Sequence, residues 1–410
     1  VFSSFSPIFL GLRLFLAEMV RDMKLLVEPV FDLYVDVITS RAKRMRDVIQ
    51  LQWGELAGSP PSVVSDYFVE GFSKGKIRYT APHGDIELRE AIREKLKRKN
   101  GIDAEIDDII VTIGGTAAIN FIFRVVAGDG GYVLIQDPSW FGYPGIAKYV
   151  GANTVRISES EYGYESFRKV YEELKNKDKE LRAIVLNYPS NPTGHVFDEK
   201  VLKEALDFAE DYDILLISDE AYEDYVFNGK HVSLGSIRGL HNVVCVFSLS
   251  KTYAFTGLRI GYAVGDRRII DAMAVAQVHT YISPPALNQY VAMRILREEL
   301  DKECVKQNLR LLRENLKIVK EFVKENSWEM IEPKGGIYAF IRLPGIISCA
   351  FAMRLLDVKK VAVAPGIDFG DKWIDWIRIT IAKSTEELTE GLKRIAEFYL
   401  ETKHGKPPTC

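Results

Sequence analysis

The chain has 410 residues, enough to bury a sizeable core and to divide into two domains. Its 54 Lys and Arg against 57 Asp and Glu leave a formal net charge of −3 with the signs interspersed, which excludes a global attraction to nucleic acid or an anionic membrane. The four cysteines, Cys245, Cys304, Cys349 and Cys410, lack CxxC spacing, and Cys245 lies in an apolar run as a packed thiol does, so a reduced, cytoplasmic setting is expected.

In chain order, residues 1–24 (VFSSFSPIFLGLRLFLAEMVRDMK) hold an apolar stretch that Arg13 interrupts. No basic region precedes it, no small-residue cleavage site follows, and it is too short for a membrane span. Residues 1–18 therefore read as an extension outside the fold, with Met19 or Met23 as a start, and residues 19–60 as a segment joining the smaller domain. Helical spacing follows in SVVSDYFVEGF (62–72) and GDIELREAIREKLKRK (84–99), the latter with charges on one face. DIIVTI (108–113) is a short apolar strand, then Gly114-Gly115 opens the helical TAAINFIFRVV (116–126). YVLIQ, NTVRI, RAIVLNY, DILLIS and NVVCVFS follow, mostly separated by helical stretches. Strands apolar on both faces and alternating with helices predict a mostly parallel sheet, seven-stranded and covered by helices. LRIGYAV (258–264) follows NVVCVFS without room for a crossover helix, so one strand is expected to be antiparallel.

After Pro284-Pro285 the character changes. Helical segments over about 286–326 lead to the strand-like WEMIEP, GGIYAFIRL, VAVAPG and WIDWIRITIA, then a last helix over 385–402. This predicts a large α/β domain over 61–285, a smaller α+β domain over 286–402 completed by the N-terminal segment, and a loose tail over 403–410.

In an open parallel sheet, ligands collect at the carboxyl ends of the strands. The residues just after each predicted strand are Gly114-Gly115-Thr116, Asp137-Pro138-Ser139-Trp140, Pro189-Ser190-Asn191-Pro192-Thr193-Gly194, Asp219-Glu220-Ala221-Tyr222 and Ser250-Lys251. All should line one edge. Backbone N–H groups at 114–116 suit a phosphate, although Gly-Gly-Thr alone is equally a tight turn with a helix cap. Ser248, Ser250 and Arg259 could add hydroxyls and a guanidinium to the same phosphate, and Lys251 would be a desolvated amine suited to a Schiff base.

Taken together, SLSKTYAFTGLRIG, NYPSNPTG and DEAY, with RYTAPHG, APGIDFG and IRITIA, resemble the fold-type I class I/II aminotransferases over about residues 45–400. Each piece alone is weak, but their order and spacing are specific. The resemblance implies pyridoxal 5′-phosphate held as a Schiff base on Lys251, with Asp219 keeping the pyridine nitrogen protonated. It implies Gly115, Thr116, Ser248, Ser250 and Arg259 around the phosphate, Trp140 on the ring, and Asn191 and Tyr222 on the 3′ oxygen. An Asp219–pyridinium pair at ~4 Å and an effective dielectric of ~20 amounts to roughly 4 kcal/mol, enough to hold that proton near neutral pH. Lys251, displaced by substrate, would carry the proton from Cα. Arg378 would clamp the α-carboxylate, with Gly54 and Asn191 beside the substrate, and Tyr79 would reach the cofactor phosphate of a partner in a homodimer with shared sites. Asn191-Pro192 and Asp137-Pro138 are expected to be cis. No metal is called for.

The chain departs from the family pattern where it reads Gly-Glu-Leu-Ala after Trp53 instead of Gly-Glu-Pro-Asp, which puts the local path over the substrate in question. The neighbourhood QVHTYIS (277–283) also lacks the arginine that the aspartate-specific branch uses for a second carboxylate. Trp53, Tyr281 and Tyr338 are candidates for a pocket accepting neutral or aromatic side chains. The expected activity is transfer of an amino group from an L-amino acid to a 2-oxo acid. Two alternatives stay open at this stage: a C–S lyase of the same fold, and a non-catalytic cofactor-binding regulator.

Overall fold

A computed structural model describes residues 33–403; the expectations for residues 1–18 and for the tail after 403 lie outside the described residues. The chain order begins with helix Tyr34–Ala42 and a short strand β1 (Ile49–Gln50). Helices Val64–Ser73 and Ile86–Lys95 precede the large sheet; Asp85 caps the second by accepting from Glu87 N.

Seven strands form that sheet: β2 (Ile109–Thr112), β3 (Tyr132–Asp137), β4 (Asn153–Ser158), β5 (Leu181–Asn187), β6 (Leu215–Asp219), β7 (Val243–Ser248) and β8 (Gly261–Gly265). Their order is β2-β8-β7-β6-β5-β3-β4. β3 to β7 pair in parallel, and β8 runs antiparallel to both β7 and β2, as the missing crossover predicted. The link from β7 to β8 is nevertheless partly helical: a single turn, Leu249–Thr252, carries Lys251.

Strand periodicity divides the core between the two faces. Ile109, Val111, Leu134, Ile184, Leu186, Cys245 and Phe247 join one cluster with helices 86–95, 164–175, 199–212 and 286–297. Ile110, Val133, Ile135, Val185, Ile217, Val244 and Val246 join the other, with helices 114–127, 142–150 and 267–281. Because both faces are covered, the strands read as continuous apolar runs instead of alternating ones. Cys245 is a fully buried free thiol, as expected from its apolar run.

Helices Ala286–Arg297 and Asp301–Glu325 are the helical segments expected after Pro285; Glu299, at φ 51°, lies between them. Strands β9 (Glu329–Ile331), β10 (Tyr338–Arg342), β11 (Val361–Ala362), β12 (Ala364–Pro365) and β13 (Trp376–Thr380) follow, with helices Ser348–Lys359 and Thr385–Lys403. An antiparallel sheet has the order β12-β13-β10-β9. VAVAPG, read as one strand, serves two sheets: β11 pairs in parallel with β1, while β12 pairs with β13. The β1–β11 pairing brings the chain before Gly54 alongside this smaller sheet, where Ile38 and Leu51 pack with Leu316, Ile379 and Leu392. No helix among the described residues is long and apolar enough to cross a membrane.

Candidate active site

The parallel strands deliver their carboxyl ends to one edge, and register aligns them: Asn187 lies opposite Asp219, and Asp219 opposite Val246. The antiparallel β8 begins at that same edge, with Gly261 opposite both Thr112 and Ser248. Arg259, three residues after the short Thr256–Leu258 turn begins, is thereby returned to the helix that starts at Gly114. A cavity of about 340 Å³ opens there. Every residue expected to hold the cofactor or the substrate carboxylate lines it except Tyr79.

Gly115 and Thr116, on the first turn of helix Gly114–Ala127, line it with Ser248, Ser250 and Arg259. Gly114 adopts φ +74°, and a Cβ there would stand 2.8 Å from Arg259 Nη2, so glycine is what lets the guanidinium close on the helix start. Ser248 Oγ accepts Ser250 N at 3.3 Å, and Arg259 Nη1 donates to Thr256 O at 3.0 Å. Hydroxyls, an arginine and free helical N–H groups are the donor set an anion such as a phosphate requires.

Asp219 lines the same cavity. It is 8% exposed, accepts Tyr143 OH at 2.6 Å and Ala221 N at 3.2 Å, and forms no ion pair with a described residue. Burial raises its pKa against those two hydrogen bonds. A buried carboxyl lacking a cation is suited to receive a cationic ring nitrogen. Trp140 lines the cavity beside it, its ring edge-on to Tyr143 at 5.1 Å.

Lys251 also lines the cavity, and its Nζ donates to Gly54 O at 2.6 Å. Burial lowers its pKa, and no described carboxylate pairs with it. Such an amine is more readily neutral and nucleophilic than a surface lysine. Tyr225 OH donates to Lys251 O at 2.8 Å and anchors the turn from behind. Gly54 is close-packed: a Cβ would collide with the Tyr338 hydroxyl. The unusual Gly-Glu-Leu-Ala path therefore still brings its backbone onto the lysine.

Arg378, on β13, does not point outward as strand alternation alone would allow. It is 2% exposed, donates from Nη1 to Asn191 Oδ1 at 2.9 Å and from Nη2 to Gln52 O, and leaves Nε buried without a partner. Its guanidinium lies 4.1 Å from the Tyr338 ring centre. Tyr222 OH is 3.0 Å from Tyr338 OH, and burial holds the Tyr222 phenol well above its usual range. The Asn191-Pro192 and Asp137-Pro138 bonds are cis, as expected, and so is Tyr188-Pro189.

Trp53 and Tyr338 line the cavity, whereas Tyr281 does not; its hydroxyl is engaged by Gln277 and Ile113 N. Tyr79 is 80% exposed, in a loop tied to the 281–285 turn by Thr80 N and Ser283 Oγ at 3.3 Å. Sequence reasoning missed Tyr143 and Asn187. Tyr143 gave no strand-end signal, since it sits on helix Gly142–Val150. Asn187 ends β5, and its place at a strand end two residues before Pro189 is a signal that could have found it; its Oδ1 accepts Asn191 N at 2.8 Å and its Nδ2 donates to Asp219 O at 3.1 Å.

Residues 46–395 match the family model for aminotransferase class I and II. The chain is 35% identical over 354 residues to (5-formylfuran-3-yl)methyl phosphate transaminase of Methanocaldococcus jannaschii, spanning 86% of this chain and 92% of that protein. It is 34% identical over 368 residues to aspartate aminotransferase of Pyrococcus abyssi, spanning 88% and 94%. Among solved structures, a single mutant of Thermus thermophilus aspartate aminotransferase superposes with a TM-score of 0.84 at 29% identity, covering 92% of this chain and all of that one.

Proposed function

This chain belongs to the class I and II aminotransferases, and from that membership we propose that it moves an amino group from an L-amino acid to a 2-oxo acid with Lys251 as the covalent anchor and proton carrier. The enzyme depends on pyridoxal phosphate, which when bound supplies an electron sink for the pair left by breaking a substrate Cα–H bond. The cavity's donor set suits that molecule. Gly115, Thr116, Ser248, Ser250 and Arg259 would hold its phosphate, and Asp219 its ring nitrogen. Trp140 would cover the ring, and Asn191 and Tyr222 its phenolic oxygen. The observation that carries the reading is the pairing of an uncompensated buried carboxyl at 219 with a desolvated amine at 251 in one cavity.

Lys251 would bind the aldehyde covalently and, once released by an incoming amine, would take the proton from substrate Cα and pass it to the cofactor. Arg378 would hold the substrate carboxylate in bidentate fashion, with Asn191 fixing one side of its guanidinium. Residues 61–285 would form the cofactor-binding domain, and residues 286–402 with the segment before 60 the smaller one. The active form would be a cytoplasmic homodimer in which exposed Tyr79 reaches the partner's phosphate site.

Borohydride reduction of the holoenzyme tests the anchor: the cofactor should become fixed to the peptide containing Lys251, and labelling of any other lysine would reject the assignment. Mixing the enzyme with single amino acids should convert the cofactor to its amine form. Steady release of pyruvate and ammonia without an oxo-acid acceptor would instead mark a lyase.

A further inference from the structure

Beneath the Asn191 turn lies a buried carboxyl that the chemistry above does not use. Glu159 begins the short helical turn after β4 and is 9% exposed. Its Oε2 accepts Ser190 Oγ at 3.3 Å and Gln136 Nε2 at 3.4 Å. Both donors lead to the site. Ser190 Oγ also accepts His195 N at 3.0 Å and lies 2.5 Å from Thr193 Oγ1, which knits the Ser190–His195 turn together. Gln136 accepts Asn187 N at 2.7 Å and donates to Asn187 O at 3.2 Å. Asn187 Oδ1 holds Asn191 N, and Asn191 Oδ1 holds Arg378 Nη1.

We propose that Glu159 is a positioning residue for substrate binding: as a carboxylate it fixes the Asn191 turn and thereby aims Arg378 at the substrate carboxylate, a role that rests on the reading of Arg378 given above. A carboxylate only accepts, which matches the hydroxyl of Ser190 and the amide of Gln136. Once protonated, it brings a donor of its own into the cluster: on Oε2 that hydrogen displaces Ser190 or Gln136, and on Oε1 it needs a buried acceptor of its own. Inside a dry cluster an unmatched donor is costly, so the turn shifts to relieve it.

Burial pushes Glu159 up to about 7, against hydrogen bonds from Thr193, Ser190 and Gln136 and with the Asp137 charge adding to the rise. The other groups facing this cluster are Arg156 on β4, which donates to Ser139 Oγ and Phe369 O, Tyr162, which donates to Val185 O, and His195 on the turn. Protonation of Glu159 therefore falls in the range where enzymes work. Raising the pH through that range should tighten substrate binding.

The test compares KM of the holoenzyme and Glu159→Gln for the amino acid giving the largest half-reaction, as a ratio at each pH, so that ionisation of substrate and cofactor cancels. One group titrating near 7 makes the parent-to-variant ratio fall about tenfold between about pH 6 and about pH 8, with kcat at saturation changed by less than about threefold. Ser190→Ala keeps the carboxyl but removes a donor to its charged form, so the midpoint of the parent's KM profile should move to higher pH. A pH-independent ratio, or an unmoved midpoint in Ser190→Ala, overturns the proposal. Arg378→Ala separates the two levels. If it leaves KM unchanged, the substrate reading fails; if it raises KM while the Glu159→Gln ratio stays flat, only the role of Glu159 fails.

Discussion

Arg378 shows how much a single side chain owes to its surroundings. A guanidinium buried to 2% exposure needs partners, and it has two hydrogen bonds, an aromatic face and an orphaned Nε. An arginine so held, with Nε and further Nη hydrogens unspent, is prepared to receive a carboxylate. Arg378→Ala should raise KM for amino and oxo acids alike by about 100-fold. That corresponds to about 3 kcal/mol for two charge-assisted hydrogen bonds. Cofactor absorbance should persist, since Arg378 is expected to touch substrate and not cofactor; steady-state kinetics and a visible spectrum check both halves. Asp219 and Lys251 were legible in the sequence because both follow strands apolar enough to be buried. Tyr143, which donates to Asp219 at 2.6 Å, was not, because nothing in a helical Gly-Tyr-Pro-Gly stretch distinguishes a core tyrosine from one aimed at a carboxylate.

At the scale of elements, the proposed phosphate site depends on the close approach of two chain segments that are distant in sequence. Helix Gly114–Ala127 starts against Arg259, and Gly261 packs so tightly on that start that a Cβ would lie 2.5 Å from Gly115 N. Gly114→Ala should strain a +74° backbone and push the guanidinium away by meeting its Nη2. The expected result is a cofactor dissociation constant raised about tenfold or more, measured by fluorescence titration of the apoenzyme, the strain alone being worth about 1–3 kcal/mol. Strand and helix existence was readable from apolar runs and their spacing. The split of VAVAPG between β11 and β12 was not, because the pairing partners, β1 and β13, come from opposite ends of the chain.

At the scale of the whole molecule, Tyr79 is the residue that a single chain leaves unexplained. It is 80% exposed, with Phe72, Ile77 and Ile282 also exposed at 65%, 62% and 45%. A second copy would cover such residues and bring Tyr79 to the partner's site. Mixing inactive Tyr79→Ala and Lys251→Ala homodimers under exchanging conditions should restore up to about a quarter of parental activity. Random exchange makes half the dimers hybrid, each with one intact site. No recovery, with exchange verified by native mass measurement, would show that Tyr79 serves its own chain.

By itself, the amino-acid sequence determined the alternation of buried strands and helices, the antiparallel return of β8 and the identities of the residues at the strand ends, since these follow from local spacing and from motifs whose order is specific. Only the tertiary structure decided which of those residues meet. It turned Arg378 inward, laid Gly54 O on Lys251, and placed Glu159 and Gln136 under the Asn191 turn. Contacts between residues tens or hundreds of positions apart depend on how sheets and loops pack, and that packing leaves no periodic trace along the chain.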